Sequence, residues 1–183
     1  MKYNKIPDFF PIDVINTLYM SSKSYFQDPQ SLFHTNLNSW GNNIVRDSNP
    51  ILIRSLKDII TDDLYLKIVN SFQKIEDKEP TSINLFYFTN RSYIPYIEES
   101  FRKFNIKRIC TLLINAEGWK SCYQGNFLIE SKQQPNSLIE EFISIHPHHN
   151  LLINQWDNPW FCTSPTSLEA PIMILLQAIW YNN

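Results

Sequence analysis

Apolar residues recur at two different intervals along this chain, and the interval changes near residue 82. In the first part the spacing is helical. Ile12, Ile15, Leu18 and Tyr19 fall on one face of a predicted helix over 11–21. Pro11 suits its first turn, where the missing N–H has no partner to lose. Residues 6–10 read as an extended arm leading into it. A second helix is predicted over 62–75. Thr61 is its N-cap, Asp62 and Asp63 place negative charge at its N-terminus, and Lys74 sits in its last turn. Leu64, Ile68, Phe72 and Ile75 form its apolar stripe. The polar stretch 22–47 is irregular, with a short strand predicted around 34–40 and another over 50–53. A charged turn containing Pro80 spans 77–82.

Beyond that turn the period becomes two. Six runs rich in Ile, Leu, Phe and Tyr are predicted strands: 82–89, 107–115, 124–130, 138–145, 151–155 and 172–181. Clusters of turn-forming residues separate them, at 115–118, 133–136, 147–150 and 164–167. Helices first and then strands at regular spacing predict an α+β domain built on a sandwich or barrel. One domain is expected over 1–183, with 1–81 as a helical support region and 82–183 as the β core.

Composition narrows the chemistry. Hydrophobic residues make up 43% of the 183 and aromatics 14%, enough to bury a core and too many for a disordered chain. With only three glycines, a glycine-rich phosphate loop is excluded. A formal net charge of −2, with no dense Lys/Arg cluster, gives no field that attracts nucleic acid. Cys110, Cys122 and Cys162 are odd in number and far apart, so they are expected as buried or half-buried thiols and not as a disulfide framework. No run approaches the roughly 20 apolar residues of a membrane span, and the N-terminus lacks an apolar signal core. A cytoplasmic setting is the expectation.

Several local patterns then occur in a telling order. Residues 6–10 with the first helix resemble a "φ-x-n-F-φ-P" opening. Trp40-Gly41-Asn42-Asn43-Ile44-Val45 and residues 50–56 are similar to the stretch before a second helix. Residues 85–90, followed by Ser92-Tyr93-Ile94-Pro95-Tyr96, resemble a strand leading into "Y-x-P-W-H-x-D". Thr111-Leu112-Leu113-Ile114-Asn115 and Trp119 resemble "φ-Y-L-N-x-x-W". Gln124-Gly125-Asn126-Phe127-Leu128 resembles "G-G-x-F-x-φ", and Ile145-His146-Pro147 with Asn150 resembles "I-x-P-x-x-N". Together they resemble the small prolyl-hydroxylase-like members of the iron(II)/2-oxoglutarate oxygenases. The resemblance implies a double-stranded β-helix (jelly-roll, cupin-like) core with N-terminal helices packed on one sheet.

The chemistry of that family needs two histidines and a carboxylate on iron(II). On the register of the resemblance, Ile97 stands at the first histidine, Glu99 at the carboxylate and Phe161 at the distal histidine. Met173 stands where an arginine would grip the far carboxylate of 2-oxoglutarate. Hydrocarbon side chains have no lone pair for a metal, and one carboxylate cannot build a site alone. The resemblance therefore implies a catalytically inactive protein with no metal and no cofactor. Its expected role is a non-catalytic subunit or binding partner, hetero-oligomeric with a catalytically active oxygenase-fold chain or self-associating. Two alternatives stay open. One is an active hydroxylase whose ligands come from His146, His148 and His149 or from a partner chain. The other is a jelly-roll module that binds a small ligand without chemistry. His146-Pro147-His148-His149 sits in a turn and is expected to be solvated. Isolated His34 is expected at the surface or hydrogen-bonded, and Glu98-Glu99 at a solvated edge. Glu99 with Cys162 and a distant histidine is a further, non-standard metal set.

Overall fold

One large antiparallel sheet, apolar on both faces, organises the protein. The computed structural model describes residues 3–27, 36–37, 51–89, 106–115, 119–130, 139–143, 151–154, 161–164 and 166–182. Its strands are β1 (Tyr3–Ile6), β2 (Asn36–Leu37), β3 (Ile51–Ser55), β4 (Ser82–Phe88), β5 (Ile106–Leu113), β6 (Phe127–Glu130), β7 (Ile139–Ile143), β8 (Leu151–Asn154), β9 (Phe161–Thr163) and β10 (Met173–Tyr181). Its helices are α1 (Ile12–Gln27) and α2 (Asp62–Glu76). The seven-stranded sheet has the order β1-β8-β5-β10-β4-β3-β2, and a three-stranded sheet has the order β7-β6-β9. After β5 the chain crosses to the small sheet, returns for β8, crosses again for β9 and returns for β10. This alternation is that of a jelly roll, and with the two helices it gives the expected α+β class.

Period-two alternation sorts the large sheet into two faces. Leu85 and Tyr87 of β4, Cys110 and Leu112 of β5, and Ile174, Leu176 and Trp180 of β10 point towards the helices and are buried there. α1 contributes Ile15, Leu18, Tyr19 and Phe26 to this layer, and α2 contributes Ile68, Val69 and Phe72. Phe72 is fully buried against Phe9, Phe10 and Trp180, with ring centroids 5.4, 5.5 and 6.0 Å away. Side chains of this size contribute about 1.5–3 kcal/mol each on burial.

α2 matches its expected bounds to one residue. The Thr61 hydroxyl accepts from the Leu64 N–H, and Asp77 ends the helix in a left-handed conformation, φ 52°. α1 runs six residues past its expected end at 21. Ser22 is buried and its hydroxyl donates to the Leu18 carbonyl at 2.6 Å, so this serine is satisfied within the helix, while Ser24 is exposed. Phe26 then stacks on Tyr87 at 4.6 Å, and packing carries the helix through a segment of low propensity. All six predicted core strands are present. β9 was not expected as a strand, because its three residues offer too little pattern. The N-terminal region also joins the large sheet directly, β1 pairing with β8 and β3 with β4.

Among the thiols, Cys110 is buried but Cys122, in a short 3-10 turn, Ser121–Tyr123, is exposed, correcting the expectation of burial. The side chain of Cys162 is not described. No helix among the described residues is long and apolar enough to cross a membrane.

Candidate functional site

The second face of the large sheet looks into the jelly roll, and this is where the resemblance places a reactive centre. Its layers can be read across the strands. Phe88 pairs with Met173, Phe86 with Leu175, and Asn84 with Gln177. On the other side of β10, Leu175 pairs with Leu113 and Gln177 with Thr111. The outer two layers are therefore aromatic and aliphatic, and the third is a neutral polar row, Asn84–Gln177–Thr111. Gln177 and Thr111 are both buried, and the Gln177 amide lies 3.4 Å from the Thr111 hydroxyl. Buried polar groups need such partners, because an unpaired one costs about 1–3 kcal/mol.

Met173 is fully buried, in an apolar cluster with Phe86, Phe88, Leu113, Trp119 and Leu175. Its sulfur rests against Gly125. A Cβ built on Gly125 would come within 3.0 Å of Met173 Sδ and 3.3 Å of Thr166 Cγ2. Gly125 also has φ +71°, so it is glycine on two counts, conformation and space. Gln124, in the place of the other glycine of the "G-G" pattern, keeps a left-handed φ of 59°.

Side-chain hydrogen bonds fasten the connections around Met173. Asn115 is buried. Its amide donates to the Ile172 carbonyl at 2.5 Å, and its oxygen accepts from the Ile174 N–H at 2.9 Å. It thus extends the β5–β10 pairing past the end of β5 and sets where Met173 begins. The Trp119 indole donates to the Gln124 carbonyl at 2.9 Å, and the Thr166 hydroxyl donates to the Thr89 carbonyl at 2.9 Å. The Ser164 hydroxyl accepts from the Asn126 N–H at 3.0 Å.

A separate ionic contact ties α2 to β5. The Glu76 side chain, 7% exposed, meets Arg108 Nε at 2.6 Å and Lys107 Nζ at 2.5 Å. Burial alone would raise its carboxyl, but the hydrogen bonds and charges of Lys107 and Arg108 outweigh that and hold it below the usual carboxylate range. Burial pushes the Cys110 thiol strongly up, which keeps it protonated and unreactive.

Of the positions assigned by resemblance, Met173 opens β10 and Phe161 opens β9, on different sheets. Ile97 and Glu99 lie outside the described residues, as do His34, Trp40 to Val45, Glu98, His146, His148, His149, Trp156 and Trp160. Among the described residues, no group of three or more His, Cys, Asp or Glu could hold a metal ion. The residue types that the resemblance assigns to the ligand positions would not fit iron(II), since Ile97 and Phe161 offer no donor atom and Glu99 offers one carboxylate. Nor does Met173 fit a dicarboxylate, being a thioether inside an apolar layer. The Met173–Gly125 contact, the Asn115 bridge and the Asn84–Gln177–Thr111 row escape sequence reasoning. Gln177 alone leaves a trace, as the one polar residue in the apolar run of β10.

No family model matches the chain, and no curated protein matches it either. Solved structures do match. A prolyl-4-hydroxylase from Pseudomonas putida superposes with a TM-score of 0.69, covering 99% of this chain and 93% of its own at 11% identity. The viral collagen prolyl hydroxylase of Paramecium Bursaria Chlorella virus-1, in its 2OG complex, gives 0.57 over 98% and 94% at 10% identity. A prolyl hydroxylase in complex with a hypoxia inducible factor peptide fragment, from Trichoplax adhaerens, gives 0.58 over 98% and 83% at 9% identity. This chain has the fold of the 2OG-Fe(II) oxygenases. At such identities the likeness is one of fold, and a fold by itself does not carry a reaction. The jelly-roll expectation therefore stands, and function must be argued from the interior.

Proposed function

We propose that this protein is a catalytically inactive 2-oxoglutarate/Fe(II) oxygenase-like chain that acts as a non-catalytic subunit or binding partner, of an active oxygenase in the first instance. The observation that carries the reading is Met173. Where the resemblance expects a cation for 2-oxoglutarate, a neutral thioether is sealed into the Phe86–Phe88–Trp119 layer. Ile97 and Phe161 support it, as independent replacements of donor residues at two further ligand positions of the same reaction. Meanwhile the scaffold around the interior keeps its hydrogen bonds, through Asn115, Trp119 and Thr166. Loss of the chemistry with retention of the frame favours a role exercised through the outer surface.

The test is co-expression of the tagged chain with the open reading frames that neighbour its gene. A chain of the same fold that carries an intact two-histidine, one-carboxylate set should co-elute in a fixed ratio. Elution of the tagged chain as a monomer, with no such companion, would overturn the subunit reading.

A further inference from the structure

The interior contact between Met173 and Gly125 extends the functional reading to the cosubstrate. We infer that Met173 is a strut seated on Gly125, closing this end of the jelly roll from within, and that neither 2-oxoglutarate nor another dicarboxylate binds there. The inference rests on the proposed loss of catalysis but makes a separate statement about the interior. Met173 Sδ occupies the space that a side chain at position 125 would need. Both residues are buried, and Thr166 closes a third side while its hydroxyl is committed to the Thr89 carbonyl. The layers beneath are Phe86–Leu175–Leu113 and then Asn84–Gln177–Thr111, none of them charged. Against this described wall a dicarboxylate would shed its water onto hydrocarbon, and neutral amides and one hydroxyl do not offset the desolvation of two charges. The amide of Gln177 is moreover turned to Thr111.

Two measurements on the full chain test this. The first is equilibrium dialysis of the wild-type protein against labelled 2-oxoglutarate at ~1 mM, where a bound fraction under about 0.1 is expected, placing Kd above about 10 mM. Saturable binding near one per chain overturns the inference. The second is a double-mutant cycle read by thermal unfolding. Gly125→Ala should lower Tm more in the wild-type background than in a Met173→Ala background, by at least ~2 °C, because left-handed strain is common to both and the sulfur contact is not. Equal losses overturn the strut. Should the alanine background fail to fold, Met173→Val supplies the same comparison with a shorter apolar side chain. The outcomes separate the two proposals. Bound 2-oxoglutarate with a co-eluting oxygenase defeats the strut and leaves the subunit reading standing, whereas no bound 2-oxoglutarate with a solitary monomer does the reverse.

Discussion

Replacing Met173 by lysine asks the interior directly whether it is core or pocket. The side chain is fully buried among Phe86, Phe88, Leu113, Trp119 and Leu175. In such surroundings an ammonium is desolvated without a partner, and its pKa falls by about 3–5 units from the ordinary ~10.4. At 1.36 kcal/mol per unit, and with at most the interval from pH 7 to ~10.4 to lose, the burial costs about 4–5 kcal/mol at pH 7, close to the whole stability of a marginal domain. The sign of the pH dependence follows. Between the depressed folded pKa and ~10.4 the unfolded state binds more protons than the folded one, so stability rises with pH throughout that window. Met173→Lys should therefore be close to unfolded at pH 7 and recover markedly by pH 9.5. Met173→Leu, nearly conserving volume, should cost under ~1.5 kcal/mol, and Met173→Ala about 2–5 kcal/mol. Urea titrations of the three variants and the wild type at pH 6, 7, 8.5 and 9.5 measure all of this. A lysine variant as stable as the wild type at pH 7, with no recovery at high pH, would refute the reasoning, because it would mean that water or an anion reaches position 173.

Three other outcomes follow from the contacts described. Asn115→Ala strands the Ile174 N–H and the Ile172 carbonyl, so it should destabilise by about 2–4 kcal/mol and speed hydrogen exchange at Ile174; a loss under ~1 kcal/mol would mean that the bridge is dispensable. Glu76→Gln should cost about 1–3 kcal/mol at pH 7. Glu76 has its carboxyl lowered by folding, so its contribution is present above the unfolded value of ~4.3 and fades as pH falls below it, and the urea midpoints of the two proteins should converge as the pH falls through the lowered folded value. In the native protein a maleimide should label exposed Cys122 at once and reach buried Cys110 only after denaturation, by peptide mapping. Equal labelling of the two would contradict the packing of β5 under the helices.

How far the sequence carried these conclusions differs between the frame and the site. α2 was legible because cap, charge and stripe all agree over Thr61 to Lys74, and β4, β5 and β10 because long apolar runs between turns leave few alternatives. α1 was cut short because Ser21, Ser22 and Ser24 look like a boundary. Their compatibility with a helix depends on Phe26 meeting Tyr87, a contact across 61 positions that local pattern cannot reveal. The jelly roll came from the order of short motifs and not from periodicity. The resemblance puts Met173 in the place of a cation, but its seat on Gly125 was not legible, since nothing local links positions 125 and 173. Asn115 read as a strand-end motif, and its double bond to the Ile172 and Ile174 backbone appears only when β5 and β10 are side by side. Ile97 and Glu99, which the resemblance assigns to an iron-binding corner, contribute through their residue types alone.

The central claim is that this oxygenase-type fold has no iron chemistry of its own. Its most direct test is the metal content of the full chain, expressed alone, purified anaerobically with iron(II) and 2-oxoglutarate present, and then freed of loose metal by gel filtration. The account predicts iron well below one atom per chain, unchanged by Glu99→Ala. Iron near one per chain, lost on that substitution, would contradict it.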